Sequence, residues 1–280
     1  DKIAVGMHEG YTLVIDADVS KYFDTIPHAK LLATLAERVA DGAMLHLLKL
    51  WLKMPVVSDQ GGKRRSLGGG QGNGRGTPQG GVISPLLSNL YLHLLDRNWE
   101  GQKMEERHQA RLVRYADDFV VLCRKQTEAP MRMIRRLMGR MGLNLNEEKT
   151  RVVDVWRERI RFLGFEMGIQ RSGRTGKPYP LVTPSKKARK AIKDRLTALT
   201  TRDRLLVHPD DLIRQINPLL RGWVGYFHYR NCSKAMVEVK AHAEERLRIW
   251  LRNRHKVRSW MEGYQRFPTK RLYDGYGLYK

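Results

Sequence analysis

Two apolar runs, Leu112-Val113 and Phe119-Val120-Val121-Leu122, enclose Tyr115-Ala116-Asp117-Asp118, and this arrangement leaves the chain few ways to fold. Extended apolar segments on either side of a short polar break read as an antiparallel hairpin with the aspartates at its tip. A turn is needed there, because adjacent residues of a regular strand point to opposite faces. About a hundred residues earlier, Leu13, Ile15, Ala17 and Val19 alternate with Val14, Asp16, Asp18 and Ser20 at the period of a strand, so Asp16 and Asp18 share one face. Taken singly, each aspartate is equally well read as an ordinary polar turn or strand-end cap. Together they offer hard oxygen donors at two separated turns, a set suited to divalent cations such as Mg²⁺.

Between these segments, Leu31, Leu32, Leu35, Leu45, Leu47, Leu48 and Trp51 suggest two helices separated by Asp41-Gly42. The stretch from Gly61 to Gly81 holds ten of the 25 glycines. It lacks a phosphate-binding signature, since Gly62-Lys63 is followed by Arg64 and not by Ser or Thr, and it reads as a flexible crossing loop. Ser84 as N-cap and Pro85 at the first helical position then start a helix with Leu86, Leu87, Leu90, Tyr91, Leu94 and Leu95 on its apolar face. Met131, Ile134, Leu137, Met138 and Met141 give a further helix ending at Gly142.

Read in order, the first aspartate strand, Gly76-Thr77-Pro78-Gln79-Gly80-Gly81 with its helix, Tyr115-Ala116-Asp117-Asp118, Gly142-Leu143-Asn144-Leu145-Asn146-Glu147-Glu148-Lys149-Thr150 and Phe162-Leu163-Gly164-Phe165 resemble the palm motifs of a reverse transcriptase. The resemblance is to the group II intron, maturase-type branch. It continues through Asn217-Pro218-Leu219-Leu220-Arg221-Gly222-Trp223 to Tyr276-Gly277-Leu278-Tyr279. It implies an α+β fold: a right-hand polymerase palm, an antiparallel sheet with helices, over residues 1–180, followed by an α-helical thumb or maturase domain over 181–280.

The resemblance also implies roles. Asp18, Asp117 and Asp118 would hold two Mg²⁺ ions, with Mn²⁺ as a substitute, for RNA-directed DNA synthesis on an RNA template with a DNA primer and deoxynucleoside triphosphates. Asp16 competes with Asp18 as a ligand, because both lie on one face, and the five-residue spacing to Phe23 favours Asp18. Lys149 resembles the lysine that protonates departing pyrophosphate, although a solvated lysine is nearly as good a reading. Val19, Phe23, Gln79 and Gly80 would contact the incoming nucleotide, with Phe23 excluding a 2′-hydroxyl; beside Tyr22 it also reads as a core aromatic. Phe162, Leu163 and Gly164 resemble the primer grip, or else a plain β-hairpin.

Composition points the same way independently. The 52 Lys+Arg against 29 Asp+Glu leave a formal charge of +23, which attracts phosphate backbones through counterion release. Residues 186–280 hold 23 basic and 9 acidic residues, so +14 of that charge lies in the last third. Lys186, Lys187, Arg189, Lys190, Arg221, Arg248, Arg252 and Arg254 are the candidate RNA-binding residues, with intron RNA the expected partner. Leu247, Trp250 and Leu251 would pack on a core while the arginines around them expose charge. Trp223, Tyr226, Phe227 and Tyr229 could stack on bases, with helix core as the default reading.

No apolar run nears the ~20 residues that span a bilayer, and Cys123 and Cys232 form no Cys-x-x-Cys pair, so a cytoplasmic, nucleic-acid-associated protein of bacterial type is expected. The sequence begins at Asp1 and enters the first aspartate strand within about fifteen residues. The expectation is therefore palm and thumb without fingers, which another segment or a partner protein would supply in trans. Two other readings stand beside this one: a non-catalytic RNA-binding maturase that helps splicing, and a related reverse transcriptase serving CRISPR or phage defence.

Overall fold

In a computed structural model of the chain, helix α1 (Lys2–His8) leads into strand β1 (Leu13–Ala17), where the alternation at 13–19 predicts a strand. The structure describes residues 1–54, 56–60, 63–68, 74–77 and 81–280, with the backbone alone for 56–60 and 63–68. After β1 come α2 (Tyr22–Thr25), α3 (His28–Ala36), α4 (Gly42–Lys53), β2 (Val56–Gln60), β3 (Lys63–Gly68), α5 (Ser84–Gly101), α6 (Met104–His108), β4 (Ala110–Tyr115), β5 (Asp118–Cys123), α7 (Glu128–Met141) and β6 (Arg151–Asp154).

The strands β4, β5, β1 and β6 form one antiparallel sheet in that order. β1 therefore lies between the aspartate hairpin and β6. Ile15, Ala17, Phe119, Val121 and Cys123 turn one face of this sheet into a core completed by Leu31 and Leu35 of α3, Leu87, Tyr91 and Leu95 of α5, and Ile134, Leu137 and Met138 of α7. Each large aliphatic side chain so buried contributes about 1.5–3 kcal/mol. Val14, Val120 and Leu122 are buried on the other face, where α1 packs against β4 and β5. Gly6 permits that approach: a Cβ there would stand 2.6 Å from Leu122 Cδ1.

Helix ends follow local chemistry at several points. Asp41 caps α4, its Oδ1 accepting from the Ala43 N–H at 2.8 Å and the Met44 N–H at 3.3 Å, an arrangement that contributes about 1 kcal/mol. Gly142 closes α7 at φ 70°. At α5 the sequence expectation shifts by one residue: Ile83 is the N-cap, and Ser84 is the first helical residue and is buried. The buried stripe of α5 is also rotated, through Leu87, Ser88, Tyr91, Leu92, Leu95 and Trp99, while Leu86 is 63% exposed. The glycine-rich stretch expected to be a loop includes strand β3, paired antiparallel with β2. Gln79 and Gly80 lie outside the described residues.

The chain divides into two compact units, Asp1–Ile160 and Arg161–Lys280. This division falls about twenty residues before the expected boundary at 180. The division runs within β7 (Ile160–Phe162); β8 (Phe165–Arg171) and β9 (Pro178–Pro184), the other strands of its sheet, lie in the second unit, where Phe165 packs against the helical core. That core is built from Ile192 and Leu196 of α8 (Lys186–Leu199), Ile216 and Leu220 of α9 (Pro209–Phe227) and Trp250 and Leu251 of α10 (Ser233–Arg254). Leu272 of α12 (Thr269–Asp274) completes it, α11 (Trp260–Arg266) lying between α10 and α12 in sequence. Among the described residues, no helix is long and apolar enough to cross a membrane.

Candidate active site

Register brings the two aspartate segments together. Asp16 pairs with Val120 and Ala17 with Phe119, so the next positions along the neighbouring strands are Asp18 and Asp118. Tyr115 pairs with Asp118 across β4 and β5, which leaves Ala116 and Asp117 as a two-residue loop. Asp117 thus sits in the turn, and Asp118 is the first residue of β5 and faces solvent, where both had been expected at the tip.

The charges interact. The Asp118 carboxyl is raised above its ordinary value by loss of surrounding water and then by the negative charges of Asp117 and Asp18. Asp16 is raised chiefly by its own desolvation; Arg151 opposes this, and Asp18 and Asp118 add to it. Asp16 therefore does belong to the same electrostatic cluster as Asp18 and Asp118. The two β1 aspartates differ in their cationic neighbours: Arg151 Nε lies 3.8 Å from Asp16 Oδ2, and Lys149 Nζ lies 3.5 Å from Asp18 Oδ2. Among the described residues, no three His, Cys, Asp or Glu side chains are drawn together closely enough to hold a metal ion.

Lys149 reaches Asp18 because its segment is tied to β1. The Ser20 N–H donates to the Asn144 carbonyl at 2.9 Å and the Asn146 N–H to the Asp18 carbonyl at 2.8 Å, while Val19, which is buried, bridges to Leu145. The Asn146 carbonyl then accepts from the N–H groups of Lys149 and Thr150. Phe23, on α2, is half-buried against the core and meets Tyr22 edge-on at 5.5 Å. Its carbonyl accepts from the Thr77 N–H at 2.6 Å, and the His28 ring Nε2 lies 2.6 Å from the Gly76 carbonyl oxygen. The segment leading to Gln79 is in this way strapped beside Phe23.

In the second unit, Phe162 is buried and Leu163 and Gly164 form a tight turn with φ of 50° and 79°. The Tyr226 hydroxyl donates to the Leu163 carbonyl at 3.2 Å, and the Tyr226 ring stacks on Phe165. Trp223 and Phe227 are core, as expected, whereas Tyr226 is 55% exposed. The basic residues divide. Lys186, Lys187, Lys190 and Arg221 are exposed, and Arg189 is paired with Glu238. Arg248 and Arg252 do not expose charge: both are buried, Arg248 donating to the Phe267 carbonyl and pairing with Glu245, Arg252 donating to the Arg258 carbonyl. Arg254 is half-buried and donates to the carbonyls of Leu205 and Val207. Buried guanidinium groups favour pairing or hydrogen bonding, and here the protein's own carbonyls take most of that part, Arg252 Nε being left without a hydrogen-bond partner among the described residues.

The family model described as reverse transcriptase (RNA-dependent DNA polymerase) matches residues 3–167. The chain belongs to the reverse transcriptase family. Both aspartate segments, the Lys149 turn and the Leu163-Gly164 turn fall inside that match, and the sheet with its helices is the palm of the family. A second model, the group II intron, maturase-specific domain, matches residues 189–267, which run from α8 to α11. Protein YkfC of Escherichia coli is 32% identical over 225 residues, covering 69% of this chain and 56% of that protein. The group II intron-encoded protein LtrA of Lactococcus lactis is 25% identical over 297 residues, covering 76% of this chain and 48% of that protein. The chain spans about half the length of these curated relatives. Among solved structures, telomerase from Candida tropicalis with a TWJ fragment of telomeric RNA matches at 10% identity and a TM-score of 0.49, covering 95% of this chain and 51% of that one.

Two residues at this candidate site escaped sequence reasoning. Arg114 and Arg151 carry no motif of their own; Arg151 lies opposite Asp16 in the register, and Arg114 is the last basic residue of the strand before the Asp117 turn.

Proposed function

We propose that the chain is the palm and the following maturase domain of an RNA-directed DNA polymerase of group II intron type, acting on an RNA template, a DNA primer and deoxynucleoside triphosphates. The observation that supports this is the strand register that puts Asp18 and the Asp117-Asp118 turn at the same end of the sheet, with Lys149 Nζ 3.5 Å from Asp18 Oδ2. The donor set is all carboxylate, the oxygen chemistry that suits a hard divalent ion, and the Asp118 carboxyl is raised by desolvation and then by the charges of Asp117 and Asp18. Asp18, Asp117 and Asp118 would hold Mg²⁺, with Asp16, paired to Arg151, just outside. Bound Mg²⁺ ions would supply activation of the primer 3′-hydroxyl and charge neutralisation at the departing pyrophosphate.

The protein's own groups have separate tasks. Lys149, an exposed ammonium at the edge of the site, is suited to neutralise and protonate the leaving pyrophosphate. The Phe23 ring, backed by Tyr22, would stand under the sugar and exclude a 2′-hydroxyl by its bulk. The Leu163-Gly164 turn would hold the primer strand, and the exposed lysines of α8 with Arg221 would hold intron RNA through its phosphates.

The test is primer extension by the full-length protein. Asp117→Asn is expected to abolish extension while RNA affinity stays within a few fold, because one carboxylate matters to a bound cation and little to a surface of net +23. Extension at the parental rate would sink the reading. RNA binding without any extension by the parent would favour a maturase that folds RNA and performs no synthesis.

A further inference from the structure

The loop that carries Asp117 is held in an unfavourable shape, and one side chain holds it. Ala116 has φ 53°, in the left-handed region that glycine and asparagine enter easily and alanine does not. Such a conformation costs about 1 kcal/mol or more and persists only where neighbours impose it. The neighbour is Arg114. Its Nη1 donates to the Ala116 carbonyl at 2.9 Å and to Asn89 Oδ1 at 2.9 Å, its Nε lies 3.1 Å from each carboxylate oxygen of Asp96, and its Nη2 also donates to Asp96. Asn89 and Asp96 are seven residues apart on α5 and so share a face two turns apart. The Arg114 side chain is only 14% exposed.

The Ala116 carbonyl belongs to the peptide plane that joins Ala116 to Asp117. A hydrogen bond that fixes this oxygen fixes the plane, and with it the direction in which Asp117 leaves the turn. A guanidinium can hold Asp96, Asn89 and Ala116 at once because its five donors form a rigid fork; a lysine ammonium, a point charge on a flexible stem, cannot.

We infer that Arg114 is a positioning residue that anchors the Ala116-Asp117 loop to α5 and thereby sets the affinity of the aspartate cluster for divalent cations. The inference rests on the proposal that this cluster binds metal. Outer-shell partners of this kind typically change metal affinity about 10- to 100-fold when removed.

The test measures Mn²⁺ binding to the protein by electron paramagnetic resonance, alongside amide hydrogen exchange of residues 115–118 and thermal melting. Arg114→Lys is expected to weaken Mn²⁺ binding about 10-fold and to speed exchange at Ala116 and Asp117, with the β1 amides as protected as in the parent. Primer extension by that variant should recover at high Mn²⁺, since the ligands themselves remain. Parental Mn²⁺ affinity in a folded Arg114→Lys protein would overturn the inference and leave Arg114 a tie between sheet and helix. If that variant does not fold, Asn89→Ala, which leaves the Asp96 contacts, should still weaken Mn²⁺ binding about threefold; unchanged affinity there is equally fatal. Asp117→Asn separates the two ideas. If it binds Mn²⁺ as the parent does, the metal reading fails and this inference with it; if it binds weakly while Arg114→Lys binds normally, the positioning role alone fails.

Discussion

Lys149 Nζ lies 3.5 Å from Asp18 Oδ2, and both side chains are well exposed, at 68% and 44%. A pair so placed contributes at most about 1 kcal/mol to stability, so it opens at little cost when phosphate or a cation enters. We therefore expect Lys149→Ala to leave the melting temperature nearly unchanged and to slow the chemical step of primer extension about 100-fold, in line with loss of a general acid. Single-turnover kinetics with melting curves checks this; a fall in stability without a fall in rate would make Lys149 structural.

Phe23 is half-buried against the core and braced edge-on by Tyr22. Phe23→Ala should raise ribonucleotide incorporation relative to deoxynucleotide, because the rejection proposed for this ring is steric and no hydrogen bond replaces it. Competition assays with matched ribo- and deoxynucleotides give the ratio directly. An unchanged ratio in an active variant would mean that the ring serves only the core.

Asp118 has its pKa raised in the folded state, so its sign in stability is opposite to that of a salt-bridged aspartate. Whatever it contributes is present below the unfolded pKa, near 3.8, and is lost as pH rises through the folded value. Asp118→Asn should accordingly melt higher than the parent at pH 7 in the presence of a chelator, and the difference should shrink toward zero as pH falls to about 4. Thermal melts across that range decide it, and a variant less stable than the parent at pH 7 would contradict a carboxyl held up by desolvation and by its acidic neighbours.

The basic residues of the second unit should separate into two classes. Arg248 is buried, pairs with Glu245 and lies over the Tyr264 ring at 4.1 Å, so Arg248→Ala should cost about 3 kcal/mol of stability. Lys186 and Lys187 are exposed, and changing both to alanine should leave stability intact while lowering RNA affinity and flattening its salt dependence by about one to two charges. Filter binding over a salt series, with chemical denaturation, measures both; loss of RNA affinity in a stable Arg248 variant would reverse the assignment.

Local chemistry was legible in the sequence where one segment suffices to determine it. The period of two along Leu13–Val19 put Asp16 and Asp18 on one face, the apolar runs around Tyr115–Asp118 specified a hairpin, and Asp41 and Gly142 marked helix ends through backbone groups two or three residues away. The order of those segments was enough to point to the family. What the sequence did not disclose depends on partners far apart along the chain: Lys149 at Asp18, Arg151 at Asp16, Arg114 reaching back to Asp96, and Asp16 joined electrostatically to Asp118. The burial of Arg248 and Arg252 belongs here too. Their helix reads as a basic surface, and it is the chain from Arg258 through α11 to Thr269 that supplies most of the partners, the rings and the cover that take their charge out of solvent. Periodicity reports which face of an element is apolar; it carries no information about which distant element will meet that face, and that choice is made by packing.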